Sequence, residues 1–281
     1  MPELPEIETI KNDLAPQVVG EIIIGVTFSS DPKLRILRRY PSTQRFIREI
    51  KKSKIIALRR RAKWLIFELS LQKTLIIHLG MSGQLVINHS NDNYQPFIQA
   101  IFHLSNEKEL RFIDPRKFGE IFLKCPPHRS SNTLNIDHLG PEPLGPEFTL
   151  NYLKQILRES KQKIKTLLMD QKKIAGIGNI YSDEILFQTK IHPARIASSL
   201  NSKEINQLHQ SIRKILSAAI KNRGTTAADQ RFRDGWGNTG KFQEKLKVYQ
   251  RKGQSCYYCK TAIATLRIGG RNASFCPVCQ S

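Results

Sequence analysis

The chain has 281 residues, 40% of them hydrophobic, enough for about two domains with real cores. Lysine and arginine number 45 against 24 aspartates and glutamates, a formal charge of +21 with a pI near 10.0, which points to a polyanion partner, nucleic acid before a membrane surface. No stretch approaches the roughly 20 apolar residues of a spanning helix and the start is acidic, which argues against a signal peptide, so a cytoplasmic, nucleoid-associated protein is expected.

The first eight residues read Met-Pro-Glu-Leu-Pro-Glu-Ile-Glu. Prolines and glutamates in this order suit the first turn of a helix, and Ile7, Ile10 and Leu14 continue it at helical spacing. The same residues admit a chemical reading. Removal of Met1 would expose the secondary amine of Pro2, with the carboxylate of Glu3 beside it. An α-amino group titrates at about 7.7–8.0, so part of it is nucleophilic near neutrality, and its adduct with an aldehyde carbon is a cationic iminium.

Short runs rich in Ile, Leu, Val and Phe follow at 22–28, 55–59, 64–69, 75–79, 100–104, 110–113 and 121–123, separated by turn residues, which predicts an antiparallel sandwich or barrel. Residues 51–63 contain seven lysines and arginines and no acid, a candidate phosphate track that ends at Lys63. Two tight turns stand out. The Gly-Met-Ser-Gly tip at 80–83 projects Met81, and Asp-Pro-Arg-Lys-Phe-Gly at 114–119 presents Arg116 and Phe118. An exposed methionine is a suitable wedge for a base stack. His78, in an apolar run, reads first as a satisfied core residue.

Cys125–Phe148 holds five prolines and reads as the linker between two domains. Beyond it the pattern turns helical at 150–159, 163–169, 180–189 and 202–223, the last with an Asn201/Glu204 cap, an Ile205, Leu208, Ile212, Ile215, Ala219 stripe and Gly224 as its stop. The Gly176-Ile177-Gly178-Asn179 turn precedes a helix and follows several lysines, including Lys161, a setting that suits a phosphate. Residues 224–240 are poor in apolar side chains and look like a mobile loop. Cys256-x2-Cys259 and Cys276-x2-Cys279 are spaced for one tetrahedral zinc bound by four thiolates, a structural site because no coordination position stays open. Between the pairs, 265–268 and 273–275 suit a β-hairpin whose Gly269-Gly270 tip carries Arg271.

In combination these motifs resemble the formamidopyrimidine-DNA glycosylase family over the whole chain. The resemblance rests on Pro-Glu-Leu-Pro-Glu at 2–6, Arg-Ala-Lys at 61–63, His-Leu-Gly-Met-Ser-Gly at 78–83, Asp-Pro-Arg-Lys-Phe-Gly at 114–119, His-Leu-Gly-Pro-Glu-Pro-Leu at 138–144, Gly-Ile-Gly-Asn-Ile-Tyr at 176–181 and the four-cysteine finger with Gly270-Arg271. It implies an α+β multidomain fold: an N-terminal catalytic β-sandwich with a leading helix at 1–130, a linker at 131–148, a helix–two-turn–helix domain at 149–224, a lesion-capping loop at 225–245 and a β-hairpin zinc finger at 246–281.

The resemblance also implies roles. Pro2 attacks the sugar C1′ and forms a Schiff base, Glu3 serves as acid and base, Lys63 assists strand cleavage, and Arg271 binds phosphate and aids the second elimination. Asn179 and Gly178 hold the backbone at the lesion. Met81, Arg116 and Phe118 fill the gap left by an everted base. The family's lysine before the first helix–two-turn–helix segment falls near Ser160 or Lys161, with the register left open. One stretch departs from the pattern: 95–99 reads Gln-Pro-Phe-Ile-Gln where many members carry a DNA-contacting histidine, so that contact is not carried over. The expected activity is excision of 8-oxoguanine and formamidopyrimidines from damaged duplex DNA, followed by β,δ-elimination, by a monomer with one structural Zn2+. The alternatives are an endonuclease VIII-type enzyme for oxidised pyrimidines, against which Leu4 and the Met81/Arg116/Phe118 trio argue, and a non-catalytic zinc-containing DNA-binding protein, which leaves Pro2-Glu3 unexplained.

Overall fold

The computed structural model describes residues 1–31, 36–37, 40, 42–126, 136 and 138–281. The chain divides into two units, Met1–Leu134 with Arg223–Lys241, and Asn135–Asn222 with Phe242–Ser281. Of the expected linker, residues 127–135 and 137 lie outside the described residues.

In the first unit, Glu3 precedes helix α1 (Leu4–Val18), and its backbone N–H donates to the Glu6 carboxylate at 2.8 Å. Ile7, Ile10, Leu14 and Val18 form the buried stripe of this helix. Then come β1 (Ile22–Phe28), α2 (Thr43–Ile50), β2 (Ser53–Arg61), β3 (Trp64–Leu69), β4 (Thr74–His78), β5 (Gln84–His89), β6 (Ile98–Leu104), β7 (Lys108–Ile113) and β8 (Glu120–Lys124). Among the described residues the strands run in the order β5-β7-β6-β1-β2-β3-β4-β8, with every pairing antiparallel. Only Ile22–Lys54 and Ile23–Ser53 join β1 to β2, so the ladder narrows there and the two four-stranded halves form the layers of a β-sandwich. Apolar residues alternate inward along β3, and the core draws on α1, α2, both layers and Phe232.

Two of these elements are absent from the sequence reading. Helix α2 buries only Phe46 and Ile50, one turn apart, and is started by the Ser42 hydroxyl accepting from the Arg45 N–H at 3.2 Å. Eight residues with two buried positions carry too little periodicity to recognise. Strand β5 holds Leu85, Val86 and Ile87 directly behind the Gly-Met-Ser-Gly turn, and only pairing with β7 fixes it as a strand.

The second unit contains α3 (Leu150–Arg158), α4 (Ile164–Met169), α5 (Asn179–Gln188), α6 (Ser202–Lys221) and a hairpin of β9 (Ala264–Ile268) and β10 (Arg271–Phe275). The Asn201/Glu204 capping box of α6 is present, with bonds of 3.0 and 2.8 Å. Leu216 rather than Ile215 completes its buried stripe, because Ile215 is only partly covered. The helix ends at Lys221, two residues before the expected end, since Arg223 already has a left-handed φ of 60°. Among the described residues no helix is long and apolar enough to cross a membrane.

Candidate active site and metal centre

Pro2 and Glu3 are buried at the start of α1, while Met1 is partly exposed. Glu6 fixes this start from below. One of its carboxylate oxygens accepts the Glu3 N–H and the other accepts the Thr225 N–H, both at 2.8 Å. Gly224 makes the second contact possible, because a Cβ there would lie 2.8 Å from the Glu6 carboxylate. Two residues further along α1, Glu8 accepts from Arg60 of β2 at 2.6 Å, which ties the helix to the β2–β3 hairpin. That hairpin turns at Ala62 (φ 52°) and Lys63, and the Lys63 side chain is buried, 6% exposed, rather than solvated.

Near Lys63, the His78 ring lies 4.5 Å from the Trp64 ring, and its Nδ1 accepts the Gly80 N–H at 3.1 Å. Burial, with the charge of Lys63 behind it, pulls the His78 pKa down to about 4, so the imidazole is neutral at physiological pH. It serves as an acceptor that shapes the turn.

The two turns presenting Met81, Arg116 and Phe118 share one brace. The carboxylate of Asp114, fully buried, accepts from the Ser82 hydroxyl at 2.6 Å, the Gly119 N–H at 2.7 Å and the Arg116 N–H at 3.2 Å. Gly80 (φ 62°) packs so closely on the Phe118–Gly119 backbone that a Cβ would sit 2.5 Å from the Phe118 carbonyl carbon. Met81 and Phe118 stay 43% and 46% exposed, and the Arg116 guanidinium lies 5.2 Å from the Phe118 ring centre. Three side chains of the kind that replace a stacked base thus project from a single rigid support. Asp114→Ala leaves three donors short of an acceptor and is expected to cost about 3 kcal/mol, read as a lower urea midpoint with an unchanged slope.

In the second unit, Gly178 caps α5 and Asn179 is its first residue. Gln171 holds the preceding loop: its side-chain oxygen accepts the Gly176 N–H at 2.9 Å, and its amide donates to the carbonyls of Met169 and Ile177. The buried side-chain oxygen of Asn179 has no hydrogen-bond partner among the described residues, so this amide keeps capacity for an outside partner. Of the lysines ahead of the loop, Lys161 is exposed, whereas Lys165 is fully buried and paired with Asp183. Burial pushes the Asp183 carboxyl up to about 7 while Lys165 pulls it down, and its other oxygen accepts the Ser274 N–H at 2.9 Å. This pair joins α4, α5 and β10. Arg271 is exposed at the start of β10 and lines a groove of about 260 Å³ together with Gln162, Thr166 and Asp170.

The sulfurs of Cys256, Cys259, Cys276 and Cys279 all lie within 4.8 Å of one another. The Cys256–Cys279 and Cys259–Cys276 separations are 3.9 and 3.3 Å. Bonds of about 2.3 Å to a tetrahedral ion place sulfurs about 3.8 Å apart, so the donor set fits one metal ion. Glu184 of α5 secures the entry to this finger by accepting the N–H groups of Lys247, Val248 and Tyr249 at 2.8–3.0 Å.

Sequence reasoning did not single out Asp114, Gln171, Glu184 or the buried role of Lys165. Asp114, Glu184 and Lys165 act through partners in another segment, and Gln171 acts within its own loop. The one available signal was that Asp114 opens a motif already recognised as a turn.

Two family models match the chain: the formamidopyrimidine-DNA glycosylase N-terminal domain over residues 1–121 and the formamidopyrimidine-DNA glycosylase H2TH domain over 139–231. A formamidopyrimidine-DNA glycosylase of Pelotomaculum thermopropionicum is 42% identical, with 100% of this chain and 99% of the relative covered. Among solved structures, a Lactococcus lactis FPG mutant in complex with Fapy-dG-containing DNA superposes with a TM-score of 0.89 at 34% identity, and each chain is covered in full. The wild-type Lactococcus lactis protein bound to DNA containing an oxidized pyrimidine gives 0.87 at 34% identity, again over the full length of both.

Proposed function

The chain belongs to the formamidopyrimidine-DNA glycosylase family, DNA glycosylases with abasic-site lyase activity, and on that premise we propose that it excises oxidised purines, 8-oxoguanine and formamidopyrimidines, from duplex DNA and nicks the resulting site. The observation that carries this reading is the buried Pro2-Glu3 pair at a helix start anchored on both sides by Glu6. With Met1 removed, the Pro2 nitrogen offers its lone pair to C1′ of the damaged nucleotide. The glycosidic electrons leave with the base, and Glu3 moves the proton that opening of the sugar ring requires. The resulting iminium draws electrons from the sugar. Loss of the C2′ proton then expels the 3′-phosphate, and a second elimination expels the 5′-phosphate. Lys63 and Arg271 are the proposed aids to these eliminations through phosphate contact.

A base inside a duplex is out of reach of Pro2, so it must be everted at a cost of a few kcal/mol. Met81, Arg116 and Phe118 offset this by refilling the stack, with Arg116 facing the orphaned cytosine. Asn179, Gly178 and Lys161 hold the backbone, and the 225–245 segment covers the everted base. Four thiolates are the donor set of a structural zinc, Cys256, Cys259, Cys276 and Cys279 would hold it, and the ion would supply folding energy to the hairpin that carries Arg271.

Borohydride trapping on duplexes with 8-oxoguanine opposite cytosine tests the reading, beside a thymine-glycol duplex. The expected result is a covalent adduct with the first. Absence of an adduct from correctly processed, zinc-loaded protein would overturn it. The relative bound to an oxidized pyrimidine keeps the second substrate class in view. A faster adduct with thymine glycol would assign the chain to that class.

A further inference from the structure

Arg223 stands where backbone geometry favours glycine. Its φ is 60° and that of the following Gly224 is 73°, both in the left-handed region, where a branched or long side chain is disfavoured. Two carboxylates account for the arginine. Its Nη2 donates to Asp13 at 2.7 Å and its Nε to Asp234 at 3.0 Å. Asp234 is fully buried and Asp13 nearly so, and a buried carboxylate is tolerated when a fixed cation faces it.

The same carboxylates hold backbone. Asp13 also accepts the Gly235 N–H at 3.0 Å, and a Cβ on Gly235 would lie 2.7 Å from the Asp13 Cβ. Asp234 accepts the N–H groups of Trp236 and Asn238 at 3.0 and 2.8 Å. Both feet of the 223–235 segment therefore meet at one side chain of α1. Two helical turns earlier on α1, Glu6 accepts the Thr225 and Glu3 N–H groups. Inside the feet the Thr226 hydroxyl donates to the Phe232 carbonyl at 3.0 Å and closes a neck. Beyond the neck lies a short tip of residues 227–231, whose far end is met by Gln84 of β5, its amide donating to the Arg231 carbonyl at 2.7 Å.

We propose that Arg223, clamped between Asp13 and Asp234, is a positioning residue for base excision: it fixes the segment that covers the everted base to the helix that carries Pro2. The inference rests on the function proposed above and adds a specific dependence to it. Only a nucleotide that still bears its base has something for the tip to hold. Removal of the damaged base should need the clamp, whereas incision at a preformed abasic site should not.

Arg223→Gly removes the cation but relieves the left-handed backbone, and Asp13 and Asp234 keep the N–H donors of Gly235, Trp236 and Asn238, which limits the loss of stability. Arg223→Lys retains the charge but lacks the planar fork. In single-turnover assays Arg223→Gly is expected to slow release of 8-oxoguanine by about tenfold or more, the scale of a misplaced reacting group, while abasic-site incision stays within about threefold and Arg223→Lys falls between. Asp13→Asn added to Arg223→Gly should bring little further loss, since both remove the same clamp. Trypsin should cut after Arg231 or Arg233 faster in the glycine variant. Unchanged excision, a proportional fall of both activities, a further loss in the double variant, or unchanged proteolysis would each overturn the proposal. A wild-type protein that neither excises nor traps would instead overturn the proposed function, and the proteolysis comparison would still judge the clamp.

Discussion

Protein that retains Met1, or carries a short tag ahead of Pro2, is expected to form no borohydride adduct and to excise 8-oxoguanine at least about a thousandfold more slowly than processed protein, in line with removal of a nucleophile elsewhere. The reason is electronic before it is steric. In a Met1–Pro2 peptide bond the proline nitrogen is a tertiary amide whose lone pair is delocalised into the carbonyl. It can neither attack C1′ nor become an iminium. The amine of Met1 is no substitute, because it is displaced by one residue, about 3.8 Å along the chain.

Stability should hardly change, since Met1 is already partly exposed and the capping of α1 by Glu6 uses backbone that the extension leaves intact. Duplex binding should persist for the same reason. Mass spectrometry of the N-terminus, paired with trapping on the same sample, decides the matter: equal adduct yields from blocked and processed chains would remove Pro2 from the mechanism. Glu3→Gln is the companion. It preserves shape and the Glu3 N–H bond to Glu6, so excision should fall by about 10²–10⁴-fold, the usual worth of a positioned acid or base, with the fold unaltered.

Replacing Cys276 by serine, or stripping the metal with a chelator, is expected to abolish metal binding and to weaken duplex affinity by about a hundredfold, comparable to losing several phosphate contacts. The apolar core of the finger is small. It consists of Phe187, Val248, Ile263 and the buried cysteines, and in zinc-finger peptides the metal supplies about 10–16 kcal/mol of apparent binding free energy at pH 7. Without the ion, the hairpin should lose its fixed shape, and Arg271 its place beside Thr166 and Asp170. The core of the first unit does not depend on the cysteines and should melt as before. Metal content, fluorescence anisotropy on a damaged duplex, and recovery on adding zinc form the test. A metal-free protein that binds DNA at full strength would refute the structural role.

Local chemistry explains which parts of the architecture could be read in advance. The start of α1, the Asn201/Glu204 box of α6, the glycine-bounded turns and the cysteine pairs are patterns in which each residue acts on neighbours a few positions away. Strands β1 to β4 and β6 to β8 were visible because apolar runs alternate with turn residues. Helix α2 and strand β5 were not, because two buried positions make no period and an apolar triplet has no partner until a sheet supplies one. The end of α6 was misplaced because Arg223, a good helix former, sits instead in a left-handed conformation.

The sequence by itself determined the chemistry on offer: a proline behind a removable methionine, a glutamate beside it, wedge residues on two turns, and four sulfurs at ligand spacing. Those are covalent and short-range facts, and folding does not alter them. Tertiary structure alone decided which charged groups support that chemistry. Asp114 reaches back 32 residues to Ser82, Arg223 reaches back 210 to Asp13, and Lys165 leaves the solvated lysines around it to meet Asp183 in the core. A carboxylate or ammonium carries no local mark of its distant partner. Its role is set by which opposite charge or N–H group the fold brings within hydrogen-bond range as water is excluded, and that depends on the packing of elements far apart in the chain.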